Sequence, residues 1–146
     1  MRLLIQRVNR ASVSVEGTCI SKIGRGLLVF LGVGHNDTEA HADYLAKKAA
    51  NLRIFEDEDG KMNLSVKDVG GEVLLISQFT LYADTNKGNR PGFSDSAPPE
   101  MAEGLYEYFG DCLNGLEVPT KLGKFGTLME IDLLNFGPAT FFLERE

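Results

Sequence analysis

The chain has no tryptophan, and only two cysteines, two histidines and five prolines among its 146 residues. Cys19 and Cys112 are far apart and form no CxxC pair, so neither a dithiol couple nor a disulfide framework is encoded. Both read as reduced, mostly buried thiols. His35 and His41, even taken with one cysteine, lack metal-ligand spacing and read as helix-surface or loop residues. No apolar run approaches the ~20 residues of a membrane span. The apolar stretch within Met1-Arg2-Leu3-Leu4-Ile5-Gln6-Arg7 is too short for a signal peptide. A cytoplasmic protein with no membrane partner is the expectation. Positive charge is scarce as well: 15 Lys+Arg against 21 Asp+Glu leave a net charge of −6. That balance excludes a protein that coats nucleic acid through bulk charge, but not one that grips a nucleic-acid end locally.

Several catalytic signatures are missing too. Gly24-Arg25-Gly26 and Gly32-Val33-Gly34 both lack the third glycine of a dinucleotide fingerprint. Gly123-Lys124 is followed by Phe125, so there is no phosphate-cradling Gly-Lys-Ser/Thr. No GxSxG elbow exists for a serine hydrolase. The acidic turn at residues 56–59 lacks EF-hand spacing and reads as a solvated hairpin.

What is present reads as one domain over residues 1–146, with 43% hydrophobic residues and enough chain to fold without staples. Residues 2–8 and 11–15 have strand character, and Leu27 to Val33 is an uninterrupted apolar run of the kind buried on both faces. Asn36-Asp37-Thr38 offers helix caps before Ala42, Leu45, Ala46, Ala49 and Leu52 at helical spacing. Strands are expected at 53–56 and 62–66 around Asp59-Gly60, and a second buried strand at Val73 to Ile76. Residues 84–97 form a polar loop. Pro98-Pro99 opens a helix whose apolar face is Met101, Leu105, Tyr108, Phe109 and Cys112, closed by Asn114-Gly115. Strands follow at 118–122, 128–134 and 139–143. The fold class is α/β of a mixed, α+β kind: a curved mixed sheet or open barrel-like β-structure covered by two main helices.

Two segments are left over by this reading. Ser77-Gln78-Phe79-Thr80-Leu81 places polar groups directly after a buried strand, where functional loops sit. Asn135-Phe136-Gly137-Pro138-Ala139-Thr140 inserts Gly-Pro between two apolar strands, where proline removes a ladder donor. Taken from the residues alone, they are open to two readings: strand-end capping and an inter-strand turn, or a site.

Together these segments resemble the D-aminoacyl-tRNA deacylase family, also called D-tyrosyl-tRNA deacylase. The resemblance rests on Ser77-Gln78-Phe79-Thr80-Leu81 and Gly137-Pro138-Ala139-Thr140. It extends to Lys87-Gly88-Asn89-Arg90-Pro91, Ala97-Pro98-Pro99-Glu100, Gly123-Lys124-Phe125-Gly126 with Met129, and Met1 to Arg10 with Gln6-Arg7-Val8. In their order these segments span essentially the whole chain. Phe136 stands where the family often has Asp, Ala139 where it often has Val, and Thr127-Leu128 replaces small and acidic residues.

The resemblance implies a homodimer with the active site at the subunit interface, and no metal or cofactor. The substrate would be aminoacyl-tRNA, cleaved at the ester joining a D-amino acid, or glycine on tRNA-Ala, to the terminal adenosine. That is chiral proofreading in translation quality control. A Gly-cisPro unit would build the wall that rejects L side chains, since the tertiary amide makes cis cheap, at about 0.5–1 kcal/mol. By the same analogy Gly137, Pro138, Ala139 and Thr140 bind substrate across the interface and Arg7 braces their loop. Phe79 offers its N–H to the oxyanion, Ser77 and Gln78 orient that loop, and Phe125 and Met129 line the adenosine pocket. Thr80 has no base beside it in the motif, which favours a positioning role with water attacking, assisted by the substrate's 2′-hydroxyl. Lys87, Arg90, Lys121 and Lys124 are candidates for a local basic patch.

Overall fold

The computed structural model describes residues 1–146. Its elements run β1 (Arg2–Val15), β2 (Thr18–Ile23), β3 (Gly26–Gly32), α1 (Glu39–Asn51), β4 (Phe55–Glu56), β5 (Met62–Leu64) and β6 (Glu72–Ser77). A 3-10 turn (Phe79–Tyr82), α2 (Pro99–Gly115), β7 (Thr120–Leu122) and β8 (Glu130–Glu144) complete the chain. The two expected strands at the start are one, β1, which is the axis of the sheet. Its first half pairs antiparallel with β3 and its second half with β2, while its other edge pairs with β8. β3 continues parallel to β6, and β6 parallel to β7. Across the remaining gap, Ser21 Oγ donates to the Leu122 carbonyl at 2.6 Å and Lys121 Nζ to the Lys22 carbonyl at 2.7 Å. The mixed sheet is thereby curved into a nearly closed barrel with two helices on its outside, the architecture anticipated.

The apolar runs of β3 and β6 are explained by their having two buried faces. Leu27, Val29, Leu31, Val73 and Leu75 face the helices with Leu3 and Ile5. Leu28, Leu74 and Ile76 face the concave side with Val8, Ala11 and Val13. Met129, Ile131 and Leu133 pack against the concave cluster at its open end.

Two local expectations need correction. The sheet-facing row of α2 is Ala102, Leu105, Tyr106, Phe109 and Leu113, whereas Tyr108 and Cys112 turn towards α1. There the Asp43 carboxylate accepts from the Tyr108 hydroxyl at 2.7 Å and from Cys112 Sγ at 3.3 Å. A helix covered by both a sheet and a second helix carries an apolar stripe wider than one face. Cys19 is not buried: it lies exposed on β2, and both thiols are free. Burial, with Asp43 alongside, pushes the Cys112 thiol up to about 11.

The Gly-Pro segment does not separate two strands. β8 runs through it as a bulge, since the register passes from Gln6↔Thr140 to Val8↔Asn135 and leaves Arg7 opposite residues 136–139. The Gly137-Pro138 peptide is cis.

Candidate active site

The three parallel strands β3, β6 and β7 end on the same side of the sheet, and a cleft of about 820 Å³ opens beyond those ends. The carboxyl ends of parallel strands are where open α/β sheets place ligands. Val33 and His35 follow β3, Ser77 ends β6, and Gln78 and Phe79 follow it. Phe125 to Met129 belong to the connection that leads from β7 into β8. Ile76 and Ile131 from the concave core form its floor. The loop after the 3-10 turn contributes Phe93, whose ring meets Phe79 edge-on with centroids 5.0 Å apart.

The polar strand end is shaped by its neighbours. The Gln78 N–H donates to the Leu31 carbonyl at 2.8 Å, which fixes where β6 stops. The backbone then tightens into the 3-10 turn, so the Phe79 N–H belongs to the first residue of a helical turn and has no acceptor within it. Gly32 permits this approach: a Cβ there would lie 2.9 Å from Leu81 Cβ and 3.1 Å from the Gln78 carbonyl. Gln78 Nε2 donates to Thr80 Oγ1, so the threonine hydroxyl is held by its own loop.

On the opposite wall Phe125 is backed by Tyr106, with ring centroids 6.1 Å apart. The Tyr106 hydroxyl donates to the Leu75 carbonyl at 2.8 Å, and burial pushes its pKa up to about 12. Met129 lies over Gly123, where a Cβ would come within 2.9 Å of its Sδ. His35 is the only histidine, carboxylate or cationic side chain among the lining residues. Its Nε2 is 2.6 Å from the Ser94 carbonyl, which accepts, so the proton sits on Nε2. The cleft therefore offers aromatic walls, hydroxyls, an amide and a backbone donor rather than a charged acid–base pair.

Of the residues singled out from the sequence, Ser77, Gln78, Phe79, Phe125 and Met129 come together in this cleft. Thr80 is exposed beside it. Gly137, Pro138, Ala139 and Thr140 are not in it; they lie on the β8 bulge, with Gly137, Pro138 and Thr140 exposed and Ala139 buried. Arg7, 3% exposed, sits beneath that bulge. Its Nε donates to the Phe136 carbonyl at 2.9 Å, its Nη1 to the Ile54 carbonyl at 2.8 Å, and its guanidinium stacks on the Phe136 ring at 4.4 Å. Sequence reasoning missed His35, Phe93, Leu128 and Ile131. Phe93, an aromatic stranded in a polar loop, carried a usable signal; the others carried none.

Comparison with known proteins settles the family. A family model described as D-Tyr-tRNA(Tyr) deacylase matches residues 4–144. A D-aminoacyl-tRNA deacylase of Roseiflexus castenholzii is 56% identical over 144 residues, covering 99% of this chain and 92% of the relative. The chain belongs to the D-aminoacyl-tRNA deacylase family. Among solved structures, one titled c-Myc DNA Unwinding Element Binding Protein superposes with a TM-score of 0.94 at 45% identity, covering 100% of this chain and 99% of that one. A second, titled a probable eukaryotic D-amino acid tRNA deacylase, gives a TM-score of 0.82 at 14% identity and covers 97% and 98%; it shows the shared fold. As a D-aminoacyl-tRNA deacylase, the chain is a hydrolase whose substrate is aminoacyl-tRNA. The reaction releases the amino acid from the tRNA.

Proposed function

We propose that this deacylase acts as a homodimer in which the Gly137-Pro138 bulge of one copy completes the cleft of the other. The supporting observation is their separation within one chain: Gly137 and Pro138 are exposed and line nothing of their own cleft. Around them, β8 pairs only with β1 and carries exposed Leu134, Phe136 and Phe142. A long edge strand with apolar side chains on display is a surface that soluble proteins cover. Leu128, 94% exposed at the cleft rim, belongs to the same picture.

In the assembled site the Gly137-Pro138 main chain takes the substrate's amino group and stands where an L side chain would point. A D side chain points away from it. Glycine has no side chain to reject, so glycyl-tRNA(Ala) is a second substrate. The terminal adenosine lies between Phe125 and Met129, with Ala139 and Thr140 supporting the bulge. The free N–H of Phe79 receives the ester oxygen as it becomes an oxyanion, a donor worth ~3 kcal/mol in such roles. Ser77 and Gln78 orient this turn. Water attacks, assisted by the ribose 2′-hydroxyl, because the cleft holds no carboxylate and its one histidine, His35, is held by the Ser94 carbonyl; Thr80 positions and is not the nucleophile. The whole chain, residues 1–146, acts as one deacylase domain, without metal or cofactor.

The test combines two variants. Phe79→Pro deletes the N–H at the first position of a helical turn, where proline is tolerated. Gly137→Trp blocks the bulge. Each alone is inactive on D-tyrosyl-tRNA. Mixed and re-equilibrated, they regain activity, since a hybrid dimer holds one site with both parts intact. No recovery from the mixture, or a monomer in sedimentation, refutes the interface site. Wild-type protein cleaves D-tyrosyl-tRNA and glycyl-tRNA(Ala) and spares L-tyrosyl-tRNA; equal D and L rates refute the wall.

A further inference from the structure

Tyr44, Lys47, Lys48 and Asn51 recur at i, i+3, i+4 and i+7, so they share one outer face of α1. With Leu52 and Arg53 they line a surface groove of about 560 Å³. Tyr44 is 43% exposed, and the Arg145 guanidinium lies over its ring at 4.2 Å with Lys48 Nζ at 5.8 Å. Lys47, Lys48, Arg53 and Arg145 enter none of the ion pairs of the molecule.

On a chain with six more acidic than basic residues, a groove whose cations join no ion pair needs an explanation; Arg53 there donates only to the neutral Asn63 amide oxygen, at 3.1 Å. The carboxylates flanking α1 are committed elsewhere, and Asp57 in the turn after Arg53 accepts from the Asp59 and Lys61 N–H groups and from Asn63 Nδ2. Asp37 takes the Met1 amino group at 2.6 Å, Asp43 is turned towards Tyr108 and Cys112, and Glu144 pairs with Arg2 at 2.5 Å. Glu39 lies at the opposite, N-terminal end of α1, and Glu146 lines a separate recess with His35 and His41. The face of α1 that carries Tyr44, Lys47, Lys48 and Asn51 bears no carboxylate of its own.

The geometry points to this groove as a second contact for the substrate RNA, taking backbone phosphates of the tRNA body away from the cleft. It rests on the deacylase reading. His35 belongs to the cleft and α1 starts just after it; at 1.5 Å per helical residue, Tyr44 to Arg53 lies roughly 10–20 Å farther along. A terminal nucleoside held in the cleft does not reach that far, whereas the nucleotides behind it do. Cations grouped around an exposed aromatic ring suit a polyanion with stackable bases. By contrast Lys121, one of the cations nominated from the sequence, spends its ammonium on the Lys22 carbonyl and lies 3.7 Å from Glu72.

The test sets a long substrate against a short one. A Lys47→Ala/Lys48→Ala/Arg53→Ala variant is compared with wild type on D-tyrosyl-tRNA and on 3′-O-(D-tyrosyl)adenosine, between 50 and 200 mM salt. All three side chains are exposed, and alanine suits the helical positions 47 and 48. The expected result is a KM for the tRNA raised at least tenfold with kcat within twofold. Hydrolysis of the adenosine ester stays unchanged, and the log–log salt slope is about 2–3 shallower, at 0.7–0.9 per lost phosphate contact. An unchanged tRNA KM and slope, or equal losses on both substrates, overturns the assignment. Should wild type cleave neither ester, the deacylase reading fails by itself. Filter binding of uncharged tRNA then judges the groove, with tenfold weaker binding by the variant supporting it and equal binding overturning it.

Discussion

Replacing Arg7 by methionine separates a brace for the bulge from a pillar of the fold. Arg7 continues the row of Leu3 and Ile5 on β1, so its guanidinium enters space that the alternation assigns to the core. It joins no ion pair, and one of its donors, Nη2, has no partner. Two hydrogen bonds from a charged group contribute roughly 1.5–3 kcal/mol each. Against them stand the desolvation of an uncompensated charge, several kcal/mol, and an unmet buried donor, about 1–3 kcal/mol. The opposing sums are of equal size. Methionine fills the same depth without a charge, so the expected stability change is within about 2 kcal/mol, a Tm shift of under ~8 °C for a chain of this length.

Activity should respond differently. The Phe136 carbonyl and ring lose their tether to β1 and to the Ile54 carbonyl that follows α1, and Gly137-Pro138 is next in the chain. Misplacement by about 1 Å at a site costs on the order of 10²-fold. Thermal melting and kcat/KM on D- and L-tyrosyl-tRNA check this: Arg7→Met melts near wild type, loses about 10² in activity and narrows the D/L ratio. Arg7→Lys, which can hold only one of the two carbonyls, falls between. Unchanged activity shows that the bulge holds itself; a Tm lowered by more than 15 °C shows that Arg7 supports the core, and either result refutes the reasoning.

Other substitutions divide along the same line. Gly137→Val meets the flexible Asn135 side chain, Oδ1 at 3.0 Å from the new Cβ, and the Ala139 nitrogen at an ordinary 4.0 Å, so melting should be unchanged while deacylation falls at least 10²-fold. Thr80→Ala keeps measurable turnover and full tRNA binding; complete loss of chemistry with binding intact would make Thr80 the nucleophile. Gly32→Ala drives a Cβ into Leu81 and the Gln78 carbonyl, so it lowers kcat and costs about 1–3 kcal/mol, read by melting and single-turnover rates. Burial raises the folded Tyr106 pKa from 10.0 to about 12, so the neutral phenol stabilises the fold below pH ~10 and that stability is lost as pH rises towards 12. Tyr106→Phe should flatten the alkaline limb of a Tm–pH curve while leaving the Leu75 carbonyl bonded to the Gly123 N–H at 3.1 Å; an unchanged limb refutes it.

The legible parts of this molecule are those where local pattern and tertiary environment agree. Leu27 to Val33 and Val73 to Ile76 lack polar alternation because helices cover one face and the concave core the other, and that double burial is written in the run itself. Asn36-Asp37-Thr38 marked the start of α1, where His41 Nδ1 accepts the Thr38 N–H at 3.0 Å; one of two unassigned histidines is thereby a cap. The shape of the Gly-Pro segment was not legible. A proline between apolar runs reads as a break, yet β1 supplies a continuous partner on both sides of it and the strand simply bulges. Nor could α2 reveal its second face, because Tyr108 and Cys112 are oriented by Asp43, sixty-five and sixty-nine positions away.

The site was legible only as fragments, for a physical reason. Ser77-Gln78-Phe79 and Phe125 to Met129 meet because β6 and β7 are parallel neighbours, and parallel pairing leaves no local trace in a sequence. What such strands share is an end, and Gly32, Gly123 and the free N–H of Phe79 are all conditions on that end. Two glycines let the 3-10 turn and Met129 approach β3 and β7, and the turn in turn frees the donor. Backbone turns, aromatic rings and polar side chains line this cleft, rather than a charged acid–base constellation. The charge of −6 is compatible with an RNA substrate in the same terms: a cleft without carboxylates repels no phosphate, and Lys47, Lys48 and Arg53 of the α1 groove join no ion pair.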